Sequence, residues 1–158
     1  MATDKETKAP DAVALLKADH RQVKEWFAEF AKVNSSNLKQ KLATDICNAL
    51  KVHTQIEEEI FYPAFLNATK DKDIHHPAEV EHSYAKTLVA EIEDTPITDD
   101  YFDSKMYVLA VMIKHHVKGE EQPDGMFDEA KKSNMNLESL GAQLFKRKQE
   151  LTEEVAGK

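Results

Sequence analysis

KVHTQIEEEIFYP, residues 51–63, is the stretch that decides the fold. Leu42, Ile46 and Leu50 lead into it, and Ile60 and Ala64 continue the spacing of three and four, so one amphipathic helix runs through it. His53 lies three residues after Leu50 and seven after Ile46, on the apolar stripe of that helix. Glu57 follows four residues later, a rotation of about 400° and a rise of about 6 Å, so the imidazole and the carboxylate project from one face a turn apart. A burying face does not carry an unpaired carboxylate cheaply; such groups are paired or coordinate a metal. Pro63 cannot donate to the helical ladder and predicts a local irregularity.

Working outward, the same periodicity defines the neighbours. Pro10 to about Val33 carries Val13, Leu16, Val23, Phe27 and Ala31 on one stripe, and Asn34-Ser35-Ser36-Asn37 supplies capping and turn residues before the next helix. The polar link 67–76 leads to a helix expected to start at Pro77 and run to Glu93. A turn at 94–99 follows, with Thr98 or Asp99 as a cap. A fourth helix carries Phe102, Leu109, Met112 and Ile113 up to the breaker Gln122-Pro123-Asp124-Gly125. Leu137 to Val155, with Leu140, Leu144 and Leu151, reads as a further helix. Short links between long helices imply antiparallel neighbours. The expected fold is all-α, an up-down-up-down four-helix bundle with an additional C-terminal helix. Residues 1–9 are expected as a frayed tail, 10–132 as the bundle and 133–158 as a helical segment packed on or extending it.

Composition narrows the function classes. Four glycines in 158 residues are too few for phosphate-cradling loops or a hairpin-rich sheet protein. The single Cys47 excludes an internal disulfide framework and a thiolate-rich zinc site, and fits a reducing cytoplasm. With 29 acidic against 21 basic side chains and a net charge of -8, nucleic acid is not the expected partner. The basic run 146–148 reads as a solvated helix face. The longest apolar run, Val108 to Ile113, is far short of a membrane span, and the first residues lack the apolar core of a signal peptide.

Histidine recurs on the inward face of every bundle helix. His20 sits between Leu16 and Val23, His82 lies three before Ala85, and His116 lies three after Ile113, with Glu120 four residues further on. Seven histidines and 17 glutamates predict fewer than one HxxxE pair by chance, and this chain has three, His75 with Glu79 included. Register discriminates better than count. The midpoint between His20 and the His53/Glu57 pair falls next to the first turn, that between this pair and His82 falls in the 67–70 link, and that between His82 and the His116/Glu120 pair falls at Thr98 to Asp100. His20, His53, Glu57, His82, His116 and Glu120 are therefore expected at one level of the bundle. Nitrogen and oxygen ligands without thiolate suit iron or manganese, and six converging ligands suit two metals better than one.

At these residues the sequence resembles the hemerythrin-like (HHE cation-binding) family, whose signature H…HxxxE…H…HxxxE is matched by Asp19-His20, His53 to Glu57, Glu81-His82 and His116 to Glu120 over roughly residues 11 to 122. The resemblance implies a cofactor of two iron ions joined by an oxo or hydroxo bridge. His20, His53, His82 and His116 would be terminal ligands, and Glu57 and Glu120 would bridge. The residue four after His82 is Lys86, where oxygen-carrying hemerythrins have a fifth histidine, so one further coordination position is open. Water, Glu58, Glu79 or a tyrosine among Tyr62, Tyr84 and Tyr107 is available to fill it. His75 and His76 are expected in the link or at the helix entry, and His115, rotated about 100° from His116, towards a neighbouring helix or solvent.

The first functional expectation is a non-haem di-iron protein binding dioxygen or a related small oxidant, in oxygen or iron handling or sensing. The alternative is a di-iron enzyme that scavenges peroxide in the manner of a catalase, or nitric oxide. A third reading is a metal-independent interaction module using the acidic surface and the C-terminal helix.

Overall fold

Short polar side chains start the long helices. The Asp11 carboxylate accepts the Ala14 N–H at 2.8 Å and opens α1 (Ala12–Lys32); Ser35 accepts from Leu38 and opens α2 (Ser36–Ile56); Asp71 accepts from Ile74 and opens α4 (Lys72–Glu93). Between α2 and α4 the chain makes one π-helical turn, Glu57–Phe61, and continues as α3 (Tyr62–Thr69). Then come α5 (Phe102–Glu121), the short α6 (Met126–Lys132) and α7 (Leu137–Ala156), capped by Asn136. The computed structural model describes residues 9–157. The tail expected at 1–9 thus lies outside the described residues except for its last position. Among the described residues there is no strand.

Contacts run from α1 to α2, α2 to α4, α4 to α5 and α5 back to α1, a closed ring of four helices. The fifth long helix, α7, lies along α1, α2 and the π turn, and α6 closes the end between α3 and α5. Gly141 allows this docking, because a Cβ there would collide with the Pro10 carbonyl oxygen and the Asp11 backbone.

Two differences from the expected boundaries have local causes. The third bundle helix begins five residues before Pro77, because Asp71 caps it. Pro77 and Asp73 are both exposed, so solvent can satisfy the Asp73 carbonyl that the proline leaves without a donor. The irregularity expected at Pro63 lies just before it. Pro63 has no N–H for the Glu59 carbonyl, and the ladder widens so that the Tyr62 N–H bonds the Glu57 carbonyl five residues back.

The core is split in two. One apolar cluster, around Leu16, Ile56, Phe61, Phe65, Phe127 and Leu144, fills the end near α6 and α7. The other, around Val23, Ile46, Leu50, Val89, Phe102 and Leu109, fills the opposite half. Three of the four bundle helices change cluster at the inward histidine: Leu16 and Val23 flank His20, Leu50 and Ile56 flank His53, and Ala78 and Ala85 flank His82. A polar layer therefore crosses the bundle between two dry ones.

Candidate metal centre

The six predicted side chains meet in that layer, all buried, Glu57 completely. His20, His53, Glu57 and Glu120 form one group able to hold an ion and Glu57, His82 and His116 a second, with the candidate ligand atoms of each group within 4.8 Å of one another. Glu57 belongs to both. Its Oε1 lies 3.0 Å from His53 Nε2 and 3.2 Å from His82 Nε2. Glu120 Oε1 lies 3.3 Å from His20 Nε2 and 3.4 Å from His116 Nε2, so the second carboxylate also stands between the two halves.

The imidazoles pair through the nitrogens that point inward. His20 and His53 approach Nε2 to Nε2 at 3.1 Å, and so do His82 and His116. Two nitrogens bound to one ion at about 2.1 Å and at right angles stand about 3.0 Å apart, so each pair already has the spacing of neighbouring ligands on a metal. Carboxylates on the far side fix three of the rings. Asp19 accepts from His53 Nδ1–H at 2.9 Å, Glu58 from His82 at 3.1 Å and Glu81 from His116 at 3.0 Å, which turns each Nε2 to the interior. His20 differs: its Nδ1 is 3.5 Å from Glu121 without a hydrogen bond, and its ring stacks on Phe127.

Both carboxylate oxygens of Glu57 and Oε1 of Glu120 are buried without a hydrogen-bond partner, although imidazole nitrogens stand 3.0–3.4 Å away. Buried carboxylates are normally satisfied. Here oxygens and nitrogens aim at shared points instead of at each other, and an all-oxygen-and-nitrogen donor set around such points fits a metal cation.

The layer's electrostatics fit the same picture. Burial alone would lower His53, but the charge of Glu57 and the Asp19 hydrogen bond push it up to about 10. His116 is likewise held well above the usual imidazole range against burial by Glu120, Glu57 and Glu81. Burial alone would raise Glu57, yet the surrounding imidazoles, His53 foremost, hold it well below the usual carboxylate range.

Of the groups available for the position opposite Lys86, the structure brings one inside. Tyr62 is fully buried, donates its hydroxyl to Glu120 Oε2 at 2.7 Å, and lies 3.0 Å from His82 Nε2 and 3.2 Å from His116 Nε2. Burial first, then Glu120 and Glu57, raise its phenol well above the ordinary value. Tyr84 and Tyr107 are exposed, Glu79 pairs with His75, and Glu58 faces His82 from outside. Five residues along an α-helix Tyr62 would sit about 140° away from Glu57; the π turn realigns the two.

The remaining histidines lie where the spacing expects them, at the entry of α4 and on its neighbour's outer face, and the basic run does not. His75 is buried within α4 beside Tyr62 and bonds His76, outside both groups. His115 is exposed and pairs with Glu81. The basic run at 146–148 is not merely solvated: Arg147 pairs with Glu59 and Lys148 with Asp19. Two of the outer acids, Asp19 and Glu81, were visible only as acids directly preceding a histidine; a step of about 100° turns each towards the histidine of a neighbouring helix.

A cavity of about 190 Å³ borders the layer on the imidazole side, lined by His20, His53, His82 and His116 with Val23, Leu50, Ala85, Met112 and Ile113. It reaches the surface at Tyr84 and His115.

The sequence profile of the Hemerythrin HHE cation binding domain family matches residues 11–124. Among solved structures, a hemerythrin HHE cation-binding domain-containing protein from Mycobacterium kansasii superposes with a TM-score of 0.70 over 92% of this chain and 89% of its own, at 20% identity. No curated protein matches the chain.

Proposed function

The chain belongs to the hemerythrin HHE cation-binding domain family, and from that premise we propose that it is a non-haem di-iron protein that binds dioxygen or a related small oxidant. His20 and His53 would hold one iron, His82 and His116 the other, and Glu57 and Glu120 would bridge them. Tyr62, protonated on Oη and hydrogen-bonded to Glu120, would stand beside the position that Lys86 leaves open. Two ferrous ions would supply the electrons that a bound oxidant takes up.

The observation that carries the oxidant reading is the cavity. Its apolar walls favour a small, weakly hydrated molecule over bulk water, and the four imidazoles are part of its lining. Met112 and Ile113 keep the imidazole side dry, while Phe127 covers His20 from the other end. Asp19, Glu58 and Glu81 orient the rings, and Tyr62 holds a proton on Oη against Glu120. The lone Cys47 is buried with its thiol pushed up to about 12 by burial, which leaves it unreactive. Among the described residues no helix is long and apolar enough to cross a membrane.

Metal content and absorption spectra before and after exposure to dioxygen, nitric oxide and peroxide test the reading. Two irons per chain and a reversible spectral change with at least one of these molecules are expected; iron far below that ratio, or a loaded protein blind to all three, refutes it. A second reading, an enzyme scavenging peroxide or nitric oxide, is favoured by the Tyr62 hydroxyl, a proton donor within 3.2 Å of the inward nitrogens of His82 and His116. Sustained peroxide consumption that drops in Tyr62→Phe with iron retained would select it over reversible binding.

A further inference from the structure

Helix α7 lies beyond the segment that the family profile matches, yet two of its side chains reach the surroundings of the metal layer. Lys148 Nζ lies 2.5 Å from Asp19 Oδ1, and Asp19 Oδ2 accepts from His53 Nδ1–H at 2.9 Å. The adjacent residue, Arg147, binds Glu59 through Nε at 2.8 Å and Nη2 at 3.3 Å, and Glu59 belongs to the π turn that begins at Glu57. Asp19 is mostly buried, and its carboxyl is held below its usual range: burial opposes this, but the His53 hydrogen bond and then Lys148 prevail. Its two oxygens thus face one cation each, a ligand imidazole inside and a lysine outside.

We propose that Lys148 is a positioning residue of the metal centre: through Asp19 it fixes the His53 ring and sets how strongly that ring donates to the ion on the His20–His53 side. This rests on the proposed metal site. A carboxylate behind an imidazole raises its basicity as a ligand; a lysine on the far oxygen withdraws part of that charge. Glu58 has a comparable cation in Lys86 at 2.6 Å, but that lysine comes from α4 within the bundle. The His53 relay alone depends on a helix outside it. Behind the His20 ring the carboxylate of Glu121 stands farther off, 3.5 Å from Nδ1, and has no lysine of α7 on it among the described residues. The two halves of the centre are therefore held unequally, and docking of α7 controls one of them.

Two measurements test the proposal. In the metal-free protein, the His53 Nδ1 proton observed by nitrogen-15 NMR should exchange with solvent at least tenfold faster in Lys148→Met than in the parent, and Lys148→Arg should restore slow exchange. In the iron-loaded protein, Lys148→Met should lower the potential of the reducible centre by about a tenfold change in the reduction equilibrium, which is about 59 mV for one electron. The same substitution placed on Asp19→Asn should shift it by less than twofold, because the relay is already cut. Unchanged proton exchange, or equal potential shifts in both backgrounds, overturns the proposal. Failure of the parent protein to take up iron refutes the metal reading instead, and the exchange measurement then still decides the relay.

Discussion

Replacing Glu57 by glutamine should empty both halves of the centre, whereas removing a histidine should empty one. The geometry behind this is the shared carboxylate: Glu57 belongs to both candidate groups and His82 to only one. A four-ligand site gains about 10–16 kcal/mol, so one charged ligand contributes about 3–4 kcal/mol, or a few hundredfold in affinity. Glu57→Gln removes that contribution at two ions at once while keeping the side chain's volume, and the packing around it is preserved. His82→Ala removes it at one. Iron bound per chain after desalting should fall from two in the parent to none in Glu57→Gln and to one in His82→Ala. A thermal readout runs in parallel. An ion present at about 100 times its Kd stabilises the fold by about 2.7 kcal/mol, which for a chain of this size is about 5–10 °C in Tm. The metal-induced rise should disappear in Glu57→Gln and persist in part in His82→Ala. If His82→Ala loses both ions as completely as Glu57→Gln, or if Glu57→Gln keeps both, the shared-carboxylate reasoning is wrong.

Three further outcomes follow from single observations. Tyr62→Phe deletes the donor to Glu120 Oε2 and leaves a buried carboxylate oxygen unpaired, so the metal-free protein should lose about 1–3 kcal/mol in urea unfolding. A methyl group on Gly119 meets nothing within 4 Å, so Gly119→Ala should gain about 0.5–1 kcal/mol by helix propensity, while Gly141→Ala should destabilise and loosen α7 because its methyl strikes the Pro10 and Asp11 backbone; calorimetry separates the two. Metal-free stability should also depend on pH in two windows. The contribution of His53, whose folded value is raised to about 10, is fully present below about 6.5 and is lost as pH rises towards 10; that of Glu57, depressed in the fold, is lost as pH falls below about 4.5. Denaturant midpoints measured from pH 3 to 10 that stay flat across both windows would contradict the charge assignment of the layer.

The bundle and the convergence of six side chains were legible because both depend on short-range patterns. Periodicity assigns His20, His53, His82 and His116 to inward faces, and the turn positions set their common level. What escaped depends on departures from an ideal helix or on contacts between distant residues. The start of α4 was misplaced because Pro77 is a strong local signal and Asp71 a weak one, and solvent exposure lets the proline stay inside the helix. Lys148 reaches Asp19 across 129 residues of chain, and nothing in a solvated-looking basic run announces such a contact.

The case of Tyr62 joins these two kinds of information. Three tyrosines and two glutamates were chemically able to fill the position that Lys86 leaves open, and periodicity did not choose among them; an ideal α-helix would even turn Tyr62 about 140° from Glu57. Pro63 supplied the missing step. By denying the Glu59 carbonyl its donor it favours a ladder that skips to five residues, and a five-residue repeat is the one that stacks Tyr62 over Glu57. Its substitution is therefore informative: Pro63→Ala restores the N–H and permits the α ladder, in which Tyr62 rotates away from Glu120. That variant should lose the Tyr62 to Glu120 hydrogen bond while keeping the phenol, and so reproduce the Tyr62→Phe effect on any peroxide chemistry. If Pro63→Ala leaves that chemistry and the π turn intact, the turn is held by the packing of Phe61 and Phe65 in the apolar cluster near α6 and α7, and the proline is its consequence instead of its cause.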